Sequence, residues 1–141
     1  MAVVTVTGEP GCRADESARL VAQRLGFDLV TESELRRLVV EEFGSETALP
    51  DRVYPVALTA MLARLACKHH LVLSTPGAEW LIAEFPAKLR VSVHASERYR
   101  TGMMMLDHHL ERPAAVSLLK HLQSDELIYI AQHFDTYSLT K

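Results

Sequence analysis

A chain of 141 residues with 48 % apolar and 23 % charged side chains is large enough to bury one core, and too apolar for an intrinsically disordered segment. Fifteen basic against eighteen acidic side chains leave a net charge of −3, which argues against a general nucleic-acid or membrane-binding surface. The two cysteines, Cys12 and Cys67, lack CxxC spacing and are too few for a disulfide framework, so reduced thiols in a cytoplasmic protein are expected.

No basic region precedes a long apolar stretch at the N-terminus, and no window reaches the ~18 apolar residues of a membrane span. The pattern then alternates strand and helix within a single domain, residues 1–141. Residues 3–7 predict a buried strand because they are β-branched and end at Gly8. A helix follows in which Ala14, Ala18, Val21, Ala22 and Leu25 recur at helical spacing, with Gly26 as its stop. Residues 27–30 predict a second short strand. Thr31-x-x-Glu34 has the form of a capping box and opens a helix to about Phe43. After a loop over 44–50, the apolar residues of 53–68 predict a well-buried helix.

Leu71, Val72 and Leu73 read as a further buried strand, stopped by Ser74-Thr75-Pro76-Gly77. A short helix is predicted over 78–85, a strand through Leu89, Val91 and Val93, and a helix from Ser96 to about Leu106. Pro113 suits the first turn of a helix ending near Leu122, and Ser124 is expected to cap a final helix to Phe134. Residues 137–140 predict the start of a last strand. Its position at the chain end implies a fragment of a longer protein or a strand completed by a partner, with self-association at an unpaired edge. Strands separated by helices imply a mostly parallel sheet of four or five strands, covered on both faces, with ligands at the strands' carboxyl ends.

One such end carries GEPGCRAD, residues 8–15. A phosphate-binding loop follows G-x-x-x-x-G-K-[ST], in which backbone N–H groups close around phosphates, lysine neutralises them and a hydroxyl holds Mg²⁺. Gly8 and Gly11 are suitably placed, but the second signature glycine is Arg13, the lysine is Ala14 and the hydroxyl residue is Asp15. Asp15 and Glu16 complement a helix dipole but compete with an incoming phosphate. Two readings therefore stand: a plain strand–turn–helix, or an altered phosphate loop with Gly8, Gly11, Cys12, Arg13, Ala14 and Asp15 as its candidate binding residues.

The whole chain resembles the cytidylate-kinase-like family of P-loop nucleoside-monophosphate kinases. VTVTGEPGCRADESARLVAQRLGF looks like the family's first strand, loop and helix. LVLSTPGAEWLI looks like its third-strand segment, and LRVSVHASERYR is similar to the next strand and the A-P-x-x-x-R turn, matched by Ala95 and Arg100. ERPAAVSLLKHLQSDELIYI resembles its pair of lid helices. The resemblance implies a three-layer α/β/α P-loop kinase-like fold and adds Arg100 to the candidate anion-binding residues. The departures share a direction: beyond the loop, Pro76 stands where the G-R-G-A arginine belongs, and the lid's D-x-x-R falls on Gln123 and Glu126.

Phosphoryl transfer depends on positioning and positive charge, so losing cations at three places implies a degenerate, non-catalytic module. The expected role is regulation or assembly with a protein partner or a second copy, or weak binding of a nucleotide or other anion. The alternative is an active ATP- and Mg²⁺-dependent CMP-type kinase using Arg13 and Arg100, and a third reading is a phosphate-independent site between the Gly8 and Ser74 loops. No metal site, nucleic-acid partner or membrane partner is expected. The pair His69-His70 is expected at a helix-to-strand junction and His108-His109 at a helix end, where histidines interact with carbonyls in preference to chelating a metal. Cys12, near a helix N-terminus, is a weaker candidate for a reactive thiol. Met103, Met104 and Met105 are expected to pack between helices, and Tyr54, Trp80 and Phe85 to be core or interface residues.

Overall fold

The computed structural model describes residues 1–45 and 49–134. The β-branched run forms β1 (Val3–Gly8), followed by α1 (Ala14–Leu25), β2 (Asp28–Thr31), α2 (Glu32–Phe43) and α3 (Tyr54–Ala66). Next come β3 (Leu71–Ser74), α4 (Ala78–Leu81), β4 (Lys88–Val93), α5 (Glu97–His108) and α6 (Arg112–Phe134). The four strands form one sheet in the order β2-β3-β1-β4, and every pairing is parallel. All carboxyl ends therefore lie along one edge, where the connections to the helices begin.

The period-2 alternation of the strands divides the interior. Val3, Leu71 and Leu73 face a core shared with Leu35 and Val39 of α2, Leu58 and Leu62 of α3, and Phe134 of α6. Val4, Val6 and Val72 face the other side, against Ala18 and Ala22 of α1. This gives the three-layer α/β/α arrangement. Alanines on α1 let its backbone settle close to the sheet, while leucines on α3 fill a deeper layer, each worth about 1.5–3 kcal/mol on burial. Tyr54, Trp80 and Phe85 pack around the larger core.

Local signals hold at most boundaries. Gly26 closes α1 in the left-handed conformation at φ 69°. Thr31 Oγ1 accepts the Glu34 N–H at 3.4 Å, and Ser96 Oγ accepts the Tyr99 N–H at 3.1 Å. Glu34 turns its carboxylate to Arg37 at 2.8 Å. The short helix after β3 spans only Ala78–Leu81, less than the predicted 78–85.

The two helices predicted to meet at Ser124 are one continuous helix, α6. Neither glycine nor proline interrupts residues 114–134, and Ser124 is exposed inside the helix instead of capping a new one. Two neighbours account for the continuity. Ala115 and Leu119 pack with Met104 of α5, while Ile130 and Phe134 reach the main core. Burial of Met104 against α6 agrees with the expected packing of the methionine run. The strand predicted over 137–140 lies outside the described residues.

Candidate functional site

The carboxyl ends of the strands frame an open cleft of about 570 Å³. One wall is the loop between β1 and α1, the other the turn from Ser74 to Gly77 with Glu79 of α4; Glu32, His94 and Glu126 complete its rim. Gly8, Gly11, Arg13, Ala14 and Asp15 line it, whereas Cys12 and Arg100 do not.

The loop keeps a tight course despite its altered residues. Gly11 has φ +86°, and Arg13 has φ 56° and ψ 40°, left-handed values that usually call for glycine. The Cys12 N–H donates to the Glu9 carbonyl at 3.1 Å, and the Ser17 N–H donates to the Arg13 carbonyl at 3.1 Å. The N–H groups of Ala14, Asp15 and Glu16 precede the first intrahelical bond of α1 and have no acceptor within the helix. Cys12 is buried at 5 % exposure, behind the lining of the cleft.

The cations predicted for this site are already engaged. Arg13 Nη2 donates to Asp107 Oδ1 at 2.7 Å, and Nη1 lies 3.5 Å from Glu16 Oε2. Arg100, only 9 % exposed, lies beside Gly11. Its Nη1 is 3.3 Å from Glu9 Oε2, but among the described residues Nε and Nη1 make no aligned hydrogen bond, so the contact is an ion pair. Glu9 Oε2 also accepts from Gln123 Nε2 at 3.1 Å.

The cleft itself is acidic. Glu9, Asp15, Glu32, Glu79 and Glu126 face it, against the guanidinium groups of Arg13 and Arg19. Burial, then the nearby charges of Glu79, Glu9 and Glu32, push the Glu126 carboxyl above the ordinary glutamate range. Among the described residues, the buried Glu79 Oε2 has no hydrogen-bond partner. A phosphate charge about 6 Å from one carboxylate costs about 3 kcal/mol at an effective dielectric of ~20, before salt screening.

Reasoning from the sequence noticed Glu126 but missed Glu9, Glu32 and Glu79 as site residues, and Asp107 as the partner of Arg13. Glu32 directly follows β2, and Glu79 lies just beyond the turn after β3, so proximity to strand ends was the available signal. Among the described residues, no group of three or more His, Cys, Asp or Glu is arranged to hold a metal ion. His108 and His109 stand at the end of α5 as expected, with the His109 N–H donating to the Met105 carbonyl, and His69 and His70 lie between α3 and β3. Their partners are different: His69 pairs with Asp28 at 3.2 Å, while His70 stacks on Phe27 and its Nδ1 accepts the Ala2 N–H at 3.0 Å.

The parallel sheet, its strand order and the loop leading into α1 define a P-loop kinase-like α/β/α domain. No family model matches the sequence, and no curated protein matches it. Solved structures do share the fold. An uncharacterized protein from Eubacterium ventriosum is 13 % identical, with a TM-score of 0.76 over 92 % of this chain and 75 % of that one. Shikimate kinase from Bacteroides thetaiotaomicron is 11 % identical, with a TM-score of 0.54 over 94 % and 82 %. A gluconokinase from Sinorhizobium meliloti is 16 % identical, with a TM-score of 0.53 over 99 % and 97 %. At these identities the likeness establishes the fold alone. Among the described residues, no helix is long and apolar enough to cross a membrane.

At the loop, Ala14 offers no charge and Arg13 is held by carboxylates, and among the charged side chains that line the cleft the acidic ones outnumber Arg13 and Arg19.

Proposed function

We propose that this chain is a P-loop kinase-like module without phosphoryl-transfer activity, whose loop binds nucleotide or other anions only weakly in a regulatory or assembly role. The observation that carries this reading is the Arg13–Asp107 ion pair in a cleft where the usual lysine is Ala14. Transfer requires unspent positive charge around the phosphoryl group, and this site spends its nearest cation internally. The matches to the first strand, loop and third-strand segment support a cytidylate-kinase-like ancestry, from which the single helix α6 departs where that family has a pair of lid helices. Leu127 and Ile128 are both exposed at successive positions of α6, apolar surface that a protein partner or a second copy would cover.

The test is turnover with ATP, CMP and Mg²⁺, together with calorimetric titration of each nucleotide. The expected result is no ADP formation above a protein-free control and no micromolar binding. Mg²⁺-dependent ADP formation that disappears in Arg13→Ala would overturn the reading in favour of an active kinase.

A further inference from the structure

Three polar links join the phosphate-type loop to the α5–α6 pair. Arg13 reaches Asp107 near the end of α5 at 2.7 Å, and Glu9 reaches both Arg100 of α5 at 3.3 Å and Gln123 of α6 at 3.1 Å. Gly11 also lies against the Arg100 backbone. The ends of the loop side chains are therefore anchored on one helical pair, while Arg13 remains on the margin of the cleft.

We propose that Asp107 is an internal substitute for an anionic ligand: it occupies the Arg13 guanidinium and latches α5–α6 to the loop, so an anion engages Arg13 by displacing it. The carboxylate presents the same chemistry to a guanidinium as a phosphate oxygen, a charge-assisted acceptor at 2.7 Å. Both terminal nitrogens of Arg13 face carboxylates, Asp107 from a distant element and Glu16 from its own helix. Glu16 is three residues along the same helix and moves with Arg13, whereas Asp107 belongs to the opposing element. Of the two carboxylates, Asp107 is thus the one that ties Arg13 to α5, beside the separate contacts of Glu9 and Gly11. Side-chain exposures of 35 % for Arg13 and 45 % for Asp107 put the pair within reach of solvent, weak enough to be exchanged.

This inference rests on the reading of a weakly anion-binding, non-catalytic loop, and a double-mutant cycle tests it. Inorganic pyrophosphate is titrated into the wild type, Asp107→Asn, Arg13→Gln and the double variant, following the amide signals of residues 8–15. Removing the competing carboxylate is expected to tighten binding by about two- to fivefold in Asp107→Asn, the range of an exposed ion pair. In the Arg13→Gln background the same change is expected to have no effect, because the group it frees is absent.

An equal gain in both backgrounds would reduce the effect to a general loss of negative charge and overturn the latch. No gain in Asp107→Asn, or no binding by any variant, overturns it as well. Asp107→Ser repeats the measurement should Asp107→Asn fold poorly, with thermal unfolding as the check. ADP formation by the wild type, by contrast, would refute the absence of catalysis without bearing on whether Asp107 competes for Arg13.

Discussion

Gly11 and the Arg100 backbone are in such close contact that a Cβ on Gly11 would lie 2.8 Å from the Arg100 carbonyl oxygen and 2.9 Å from its Cα. The loop is therefore seated on α5 by main chain as well as by charge. Since the obstacle is backbone, it cannot rotate away as a side chain would.

Gly11→Ala consequently combines a left-handed backbone at φ +86° with overpacking against a helix. The expected loss is about 2–4 kcal/mol, read from the denaturant midpoint. A change below ~0.5 kcal/mol would mean that the loop and α5 separate freely.

Arg13 tests the same loop from the opposite side. It holds φ 56° without glycine and supplies no side-chain cap to α1. Arg13→Gly and Arg13→Ala both remove the ion pairs, so their difference isolates the backbone. The glycine variant is expected to be more stable by about 1 kcal/mol in thermal or chemical unfolding, the reverse of the helix-interior order. Equal stabilities would indicate that the residue leaves the left-handed region.

The acidic cleft predicts a pH signature. Glu126 is raised above the ordinary glutamate value of 4.5, first by burial and then by Glu79, Glu9 and Glu32. A carboxyl raised on folding favours the folded state when protonated, an advantage present below the unfolded pKa and lost as pH rises through the folded one. Glu126→Gln should therefore raise the unfolding temperature at neutral pH, with the gain shrinking as pH falls towards 4.5. A gain independent of pH would point to packing instead of charge.

Gly77 and Phe134 couple the far wall of the cleft to α6. Gly77 has φ +78°, and a Cβ there would lie 2.8 Å from Phe134 Cζ and also collide with Cε2. Gly77→Ala is expected to cost about 3 kcal/mol. Combining it with Phe134→Leu should recover about 1 kcal/mol relative to the sum of the single changes, because the ring is removed while the backbone strain stays. Strict additivity would show that the ring already moves aside.

The parts legible in the sequence are those whose cause is local. The β-branched run before Gly8, the apolar spacing of α1 and the Thr31 cap are decided by nearby atoms. The unbroken course of α6 through Ser124 was not legible, because it depends on packing against α5 at one end and the main core at the other. The Arg13–Asp107 pair spans 94 residues of sequence and becomes a neighbour only when α5 docks on the loop. Loss of the loop lysine was visible at Ala14, but the acidic character of the whole cleft emerged only once Glu32, Glu79 and Glu126 came together from separate helices.

The continuous α6 also acts as a ruler. Gln123 touches the loop through Glu9, and Phe134 presses on the turn at Gly77, so a single rod meets both banks of the cleft. At ~1.5 Å per residue, the span between those contacts is about 16 Å of helix. A cleft braced in this way cannot widen at one bank alone: separating its sides requires the rod to tilt, bend or lose one of its two footholds.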